Sequence, residues 1–182
     1  VVSRRWSITV SIFDIGKGAL VVWLAQALEL SAAQQGIIGI AAIIGHNWTV
    51  FLHFQGGRGI FTSLGVIIML APRVGLITLV FSYLFAPFHY LPLGVLIALI
   101  ILPVLSSSLS QPLAVAEPAA VSITYLAILL IAIFRRLTAP KSPLGASVSK
   151  GELIINRLLF DRDIRDRDAW VRQIHPEAKA RR

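Results

Sequence analysis

Residues 45–62 read GHNWTVFLHFQGGRGIFT, a polar, glycine-rich stretch that separates two strongly apolar runs. Similar apolar runs recur along most of the chain, at about residues 7–30, 36–54, 60–71, 74–88, 91–109 and 119–134. About 20 apolar residues cross a bilayer as a helix, and a helix satisfies its own backbone hydrogen bonds there. We therefore predict an all-α fold, a polytopic transmembrane helix bundle with six spans in this chain.

The composition excludes an ordinary soluble domain. Of the 182 residues, 56% are hydrophobic and only 14% are charged, and the mean hydropathy is +0.78, well above the range of soluble globular proteins. The chain has no cysteine, which excludes disulfides, thiolate nucleophiles and cysteine-ligated metals. The histidines and acids lack metal-ligand spacing, so we predict no metal and no cofactor, and no nucleic-acid partner.

The distribution of charge predicts the orientation in the membrane. Residues 135–182 hold twelve of the seventeen Lys and Arg residues and six of the nine acids. Basic segments next to spans stay in the cytoplasm, so we predict a cytoplasmic C-terminal tail. Counting back through alternating spans places the glycine-rich turn on the same side, together with Arg4 and Arg5, and places Arg73 outside.

Three regions follow from the composition. Residues 1–137 form the predicted membrane domain, and residues 138–150, rich in Pro, Ser, Gly and Lys, form a linker. Residues 151–182 form a basic tail in which Arg and Asp alternate. Such a tail is either a helix lying on the membrane surface or a solvated arm, and we favour the solvated arm.

The glycines within the polar stretch predict a phosphate site. Gly56, Gly57, Arg58 and Gly59 directly precede an apolar helix, whose first N–H groups lack intrahelical acceptors and attract anions. Thr62 falls in the first turn of that helix and adds a hydroxyl. The alternative is a flexible turn whose glycines only allow a tight connection between two spans.

Two charged residues lie inside the first apolar run. Asp14 and Lys17 are three positions apart and therefore share one helix face. Intramembrane charges usually line an interior cavity, so Lys17 is a candidate ligand for an anion, with Asp14 orienting it. A mutual ion pair that holds the bundle together is an equal alternative.

His46 and Asn47 stand at the end of the second apolar run, next to the glycines. His46 is a candidate general base for a hydroxyl, or a hydrogen-bond donor to a phosphate oxygen. A capping or interhelical histidine is the alternative reading of the same residue.

Two stretches resemble a known family. Residues 12–18, IFDIGKG, are similar to the motif D-x-x-K-G, and residues 45–59 are similar to G-H-x-x-P-x-F-x-x-F-K-G-G-K-G. These motifs are found in the bacterial acyl-phosphate glycerol-3-phosphate acyltransferases of phospholipid synthesis, the PlsY family. The spacing of the apolar runs agrees with that family from about residue 1 to 134.

The resemblance implies seven spans in the complete protein, a site facing the cytoplasm and a location in the bacterial inner membrane. It implies transfer of a fatty acyl group from acyl phosphate to the 1-hydroxyl of glycerol 3-phosphate, which leaves lysophosphatidic acid among the membrane lipids. It assigns phosphate binding to Gly56, Gly57, Arg58 and Gly59, and places His46, Asn47 and Lys17 in the site.

The chain departs from the family pattern in several places. Thr49 stands for a proline, Gln55 and Arg58 stand for two lysines, and residues 90–94, YLPLG, stand where Y-S-S-L-G is expected.

The family's first motif, G-S-G-N-x-G-A-T-N, is not found, so we expect a divergent member that lacks an N-terminal segment. Glu152 and Asn156 match its C-terminal elements by residue type alone. An anion-transporter component and a catalytically degenerate membrane scaffold remain alternative functions.

Overall fold

The regular secondary structure is helical, with no strand, within the part that the computed structural model describes, residues 4–54 and 56–174. These helices are α1 (Arg4–Ala27), α2 (Ala32–Asn47), α3 (Ile60–Leu70), α4 (Pro72–Tyr83), α5 (Leu91–Ser108), α6 (Ser110–Leu113), α7 (Pro118–Leu137), α8 (Lys150–Phe160) and α9 (Arg167–Ile174). The predicted all-α class is confirmed for these residues. The substitution at Gln55 and residues 175–182 of the tail lie outside them.

Among the described residues, four segments are long and apolar enough to cross a membrane, namely Trp6–Ala27, Ala32–Leu52, Leu91–Ser108 and Pro118–Leu137. The remaining two apolar runs are helical but short. α3 has 11 residues and α4 has 12, which at 1.5 Å per residue gives lengths of about 16 and 18 Å. A bilayer core is about 30 Å thick, so the prediction of six spans is not confirmed.

The bundle is held together by close contact between α1 and α3. A Cβ added at Gly18 would lie 2.1 Å from the carbonyl oxygen of Thr62, and one at Gly65 would lie 2.1 Å from that of Ile15. Small residues permit this approach of two backbones, as is common between membrane helices. Gly18 therefore packs closely against α3, whereas Gly16 faces open space.

Large apolar side chains lie both inside the bundle and on its outer surface. Val22, Val66 and Ile128 are fully buried, whereas Ile123 is 68% exposed and Leu130 is 58% exposed. Exposing these apolar side chains to water costs free energy, whereas exposing them to the hydrocarbon of a bilayer does not. The helices are thus built for a lipid environment.

The segment after α7 packs against the bundle. α8 contacts α5 and α7, and Leu153 and Asn156 are buried. Asp163 accepts hydrogen bonds from the Arg157 side chain at 2.7 Å and from the backbone N–H of Ser142 at 2.6 Å. The preferred interpretation of a solvated arm is therefore wrong for residues 151–163, because this buried ion pair anchors them.

This anchor predicts sensitivity to acid. Burial acts to raise the pKa of Asp163, but hydrogen bonds from Ser142 and Arg157 outweigh it, so the pKa lies below its ordinary value. A carboxyl with a depressed folded pKa stabilises the fold above its unfolded pKa, about 3.9, and loses that contribution as the pH falls through the folded pKa. We expect α8 to detach in this acidic window.

Asp163→Asn removes the charge permanently and should cost about 3–5 kcal/mol, as is usual for breaking a buried pair. Thermal unfolding, followed from neutral pH to below about pH 4, measures this loss, and tryptic cleavage after the exposed Lys141 compares the variants at neutral pH. Asp168→Asn is the matched control, since that side chain is 77% exposed. Wild-type behaviour of Asp163→Asn at neutral pH would show that the pair does not anchor α8.

Candidate functional site

The glycine-rich turn meets the middle of α1. α2 ends at Asn47 and α3 begins at Ile60, and both of these ends lie beside residues 14–18 of α1. Residues 4–13 of α1 continue beyond this level for about 15 Å at 1.5 Å per residue. The charges inside the first apolar run are therefore level with the turn.

Three ionisable side chains form one cluster at this level. Lys17 Nζ lies 2.7 Å from Asp14 Oδ1 and 2.5 Å from His46 Nδ1. His46 Nδ1 lies 3.7 Å from the same Asp14 oxygen. The ion pair that the sequence offered as one alternative is present, and Lys17 also contacts His46.

This cluster orients the His46 ring. A lysine ammonium only donates hydrogen bonds, so Nδ1 of His46 accepts, and the proton of the neutral ring resides on Nε2. Nε2 faces Gly57, where an added Cβ would lie only 2.1 Å away. The ring therefore presents an N–H donor to the turn, and the absence of a side chain at Gly57 permits this position.

The backbone of the turn offers N–H groups beside the ring. The Gly57 N–H donates to the His46 carbonyl oxygen at 3.2 Å and is thereby occupied. Those of Arg58 and Gly59 have no acceptor among the described residues. Gly59 adopts φ +70° as the N-cap of α3, a conformation that favours glycine. Within the described part of the chain, two amides and the start of α3 are thus available to an anion.

Asn47 and Thr62 are buried beside these amides without hydrogen-bond partners. Both residues are 0% exposed, and the two side-chain atoms of the Asn47 amide and the Thr62 hydroxyl oxygen contact no donor or acceptor of the described chain. Asn47 Oδ1 lies close to Gly59, where an added Cβ would be 2.4 Å from it. Unpaired buried polar groups are costly and mark this region as a ligand-site candidate.

Arg58 contacts an anion of the chain itself. Its Nη1 atom bonds the backbone oxygen and the Oδ1 atom of Asp161, and the same carboxylate lies 3.8 Å from Arg136 Nε. The Arg58 guanidinium is therefore already paired with Asp161. An anionic ligand would have to compete with Asp161 for this guanidinium. Sequence reasoning missed Asp161 because it lies in the tail.

Arg135 is a second residue that sequence reasoning missed. It bonds the carbonyl oxygens of Gly56 and Gly57 from the far side of the turn. A pair of arginines that ends a long apolar run is the signal that could have identified it. Glu152 is exposed on α8 and Asn156 bonds the Asp163 carbonyl oxygen, so neither is part of this region.

His46 and Gly57 lie between two clefts. One cleft is lined by Lys17, His46 and the glycines Gly45, Gly56 and Gly57. The other contains Asp14, Arg58 and Asp161 among its lining residues. An apolar cavity between α3, α4 and α5 shares four lining residues with this second cleft, Ile60, Phe61, Leu91 and Val95. A polar and an apolar compartment therefore adjoin.

Comparison with known proteins agrees with the motifs. The family described as glycerol-3-phosphate acyltransferase matches residues 1–140. Glycerol-3-phosphate acyltransferase 5 of Dehalococcoides mccartyi is 42% identical over 168 residues, which cover 92% of this chain and 72% of that protein. Glycerol-3-phosphate acyltransferase of Prochlorococcus marinus is 36% identical over 118 residues, which cover 61% of this chain and 60% of that protein. No solved structure matches.

Proposed function

Because this chain belongs to the glycerol-3-phosphate acyltransferase family, we propose that it acylates glycerol 3-phosphate at the 1-hydroxyl with acyl phosphate as the donor. The product is 1-acylglycerol 3-phosphate, lysophosphatidic acid, which stays in the membrane as a phospholipid precursor. The observation that carries this proposal is that His46 Nε2 lies against Gly57, directly before the amides of Arg58 and Gly59, which have no acceptor among the described residues.

In the proposed complex, a phosphate lies against the glycine-rich turn. The amides of Arg58 and Gly59, the α3 N-terminus and Thr62 supply donors, and Arg58 supplies charge once Asp161 is displaced. Asn47 and Lys17 are further candidate ligands. Gly56 and Gly57 shape the turn, since side chains there would collide with His46.

The proposed reaction needs no protein nucleophile. The 1-hydroxyl oxygen bonds to the acyl carbonyl carbon, the bond from that carbon to the phosphate oxygen breaks, and inorganic phosphate leaves. The hydroxyl proton passes to a substrate phosphate oxygen. We assign His46 the role of donor to the developing oxyanion or to a phosphate, because Lys17 occupies the nitrogen that a general base would use.

The surroundings suit an acyl substrate at a membrane surface. The apolar cavity beyond Ile60 and Phe61 gives the acyl chain a place next to the polar cleft. We propose that α3 and α4 complete a six-helix arrangement despite their length. Arg58, Arg135 and Arg136 lie together at one end, and by the positive-inside rule we place this end and the tail in the cytoplasm of a bacterial cell, at the inner membrane.

The test uses the purified full chain in phospholipid vesicles. Palmitoyl phosphate and glycerol 3-phosphate are supplied, and release of inorganic phosphate is measured together with formation of 1-acylglycerol 3-phosphate. We expect one molecule of 1-acylglycerol 3-phosphate to form for each inorganic phosphate released, and we expect both products to require glycerol 3-phosphate. Turnover with palmitoyl coenzyme A instead of palmitoyl phosphate would contradict the proposed donor, and no turnover with either would favour the scaffold alternative.

A further inference from the structure

Arg135 contacts the glycine-rich turn from the side opposite to the proposed substrate. Its Nε atom donates to the Gly57 carbonyl oxygen at 3.0 Å, and its Nη2 atom donates to that of Gly56 at 2.8 Å. The residue is 7% exposed and lines neither of the two clefts beside His46. It therefore contacts the backbone of the turn without access to a substrate in those clefts.

The guanidinium is itself held in place. It lies 5.7 Å from the ring centroid of Trp48, a distance at which a cation and an aromatic face attract. Trp48 in turn packs against Phe134 with ring centroids 5.8 Å apart. Aromatic packing and the position of Arg135 near the end of α7 restrict the directions from which it can donate.

The two hydrogen bonds fix the direction of the neighbouring amides. In a trans peptide the C=O and the following N–H point in opposite directions, and the chain has no cis peptide among its described residues. Because the Gly57 carbonyl points toward Arg135, the Arg58 N–H points away from it. By the same rule the Gly57 N–H points away from Arg135, toward the His46 carbonyl oxygen.

We infer that Arg135 is a positioning residue that holds the glycine-rich turn with its Arg58 amide directed at the substrate phosphate. This inference rests on the proposed function, since it concerns the same anion site. Preorganised donors are effective because they need no reorientation when charge arrives. A planar guanidinium suits this role, because its donors are fixed in a fork.

The conservative variant Arg135→Lys separates this role from charge alone. Lysine keeps the positive charge but has a single flexible ammonium, so it does not hold two carbonyls in fixed geometry. We expect the KM for glycerol 3-phosphate and the inhibition constant of inorganic phosphate to rise about tenfold, as for an interaction of roughly 1.4 kcal/mol. The kcat should change much less, and the folded yield should be retained.

Arg73→Lys is the matched control, because Arg73 also donates to a backbone carbonyl, that of Pro112 at 2.8 Å. Arg73 lies in the first turn of α4 and lines neither cleft beside His46, so this variant should leave both constants unchanged. In Arg135→Ala, added guanidinium ions should restore part of the affinity for phosphate, a rescue that a purely structural role does not predict.

Two results would overturn the inference. One is an Arg135→Lys protein with wild-type KM and wild-type inhibition by phosphate. The other is a variant whose folded yield, kcat and affinity all fall in proportion, which would indicate a structural residue. Failure of the proposed function is distinguishable, because the wild-type protein would then neither acylate glycerol 3-phosphate nor respond to phosphate.

Discussion

Replacing His46 with alanine should lower the rate of acyl transfer by about 10²- to 10³-fold, the loss typical of removing one donor that stabilises a developing oxyanion. The reason is geometric: Nε2 faces the glycine-rich turn at Gly57, and Lys17 fixes the ring through Nδ1. The measurement is the kcat for formation of 1-acylglycerol 3-phosphate by the purified variant in vesicles.

A second variant distinguishes a donor from a base. Glutamine at position 46 can donate a hydrogen bond from its amide but cannot accept a proton at neutral pH. If His46 acts as a donor, His46→Gln should keep more activity than His46→Ala, by about tenfold. Equal losses in the two variants would instead indicate that His46 is the general base.

The control for these variants is His53→Asn. His53 is exposed and has φ 49°, a conformation that asparagine tolerates. Wild-type activity is expected there, since His53 lines neither cleft beside His46. Wild-type activity in His46→Ala would remove His46 from the site altogether.

The membrane helices and the local part of the site could be predicted from the sequence. An apolar run of bilayer length has few stable structures other than a membrane-spanning helix. A glycine-rich segment before a helix places free amides at the helix N-terminus by local geometry alone. His46 and Gly57 are adjacent because the chain turns between α2 and α3. Such features depend on neighbours along the chain, which a sequence displays directly.

Contacts between distant segments could not be predicted. Arg58 meets Asp161 over 103 positions, and Arg135 meets Gly57 over 78. The alternating Arg and Asp residues of the tail suggested solvated charges, because composition does not tell which charge becomes buried with a partner. Arg157 and Asp163 become buried as such a pair, two residues from Asp161.

The lengths of the helices could not be predicted from the sequence either. The depth of residues 60–71 in the membrane depends on where α3 starts relative to α1. That start is set by the contact of Gly18 with Thr62. No periodicity within either run specifies this register.

Replacing Arg58 with alanine should raise the KM for glycerol 3-phosphate by about 10- to 100-fold, since hydrogen bonds to charged groups contribute about 1.5–3 kcal/mol. The pairing with Asp161 adds to this effect. Without Arg58, the ion-pair partner that Asp161 retains among the described residues is Arg136, at 3.8 Å, and its carboxylate repels an incoming phosphate. Folded yield should fall much less than affinity, because the Arg58 side chain is 40% exposed.

The Asp161→Asn variant tests the competition from the other direction. It removes the anion that occupies Arg58, so the KM for glycerol 3-phosphate should fall below the wild-type value. In the double variant Arg58→Ala/Asp161→Asn the repulsion is also removed, so its KM should lie below that of Arg58→Ala. The two effects are then non-additive, as expected for residues in contact. If Asp161→Asn instead raised the KM and the effects added, Asp161 would support the substrate site and would not compete for Arg58.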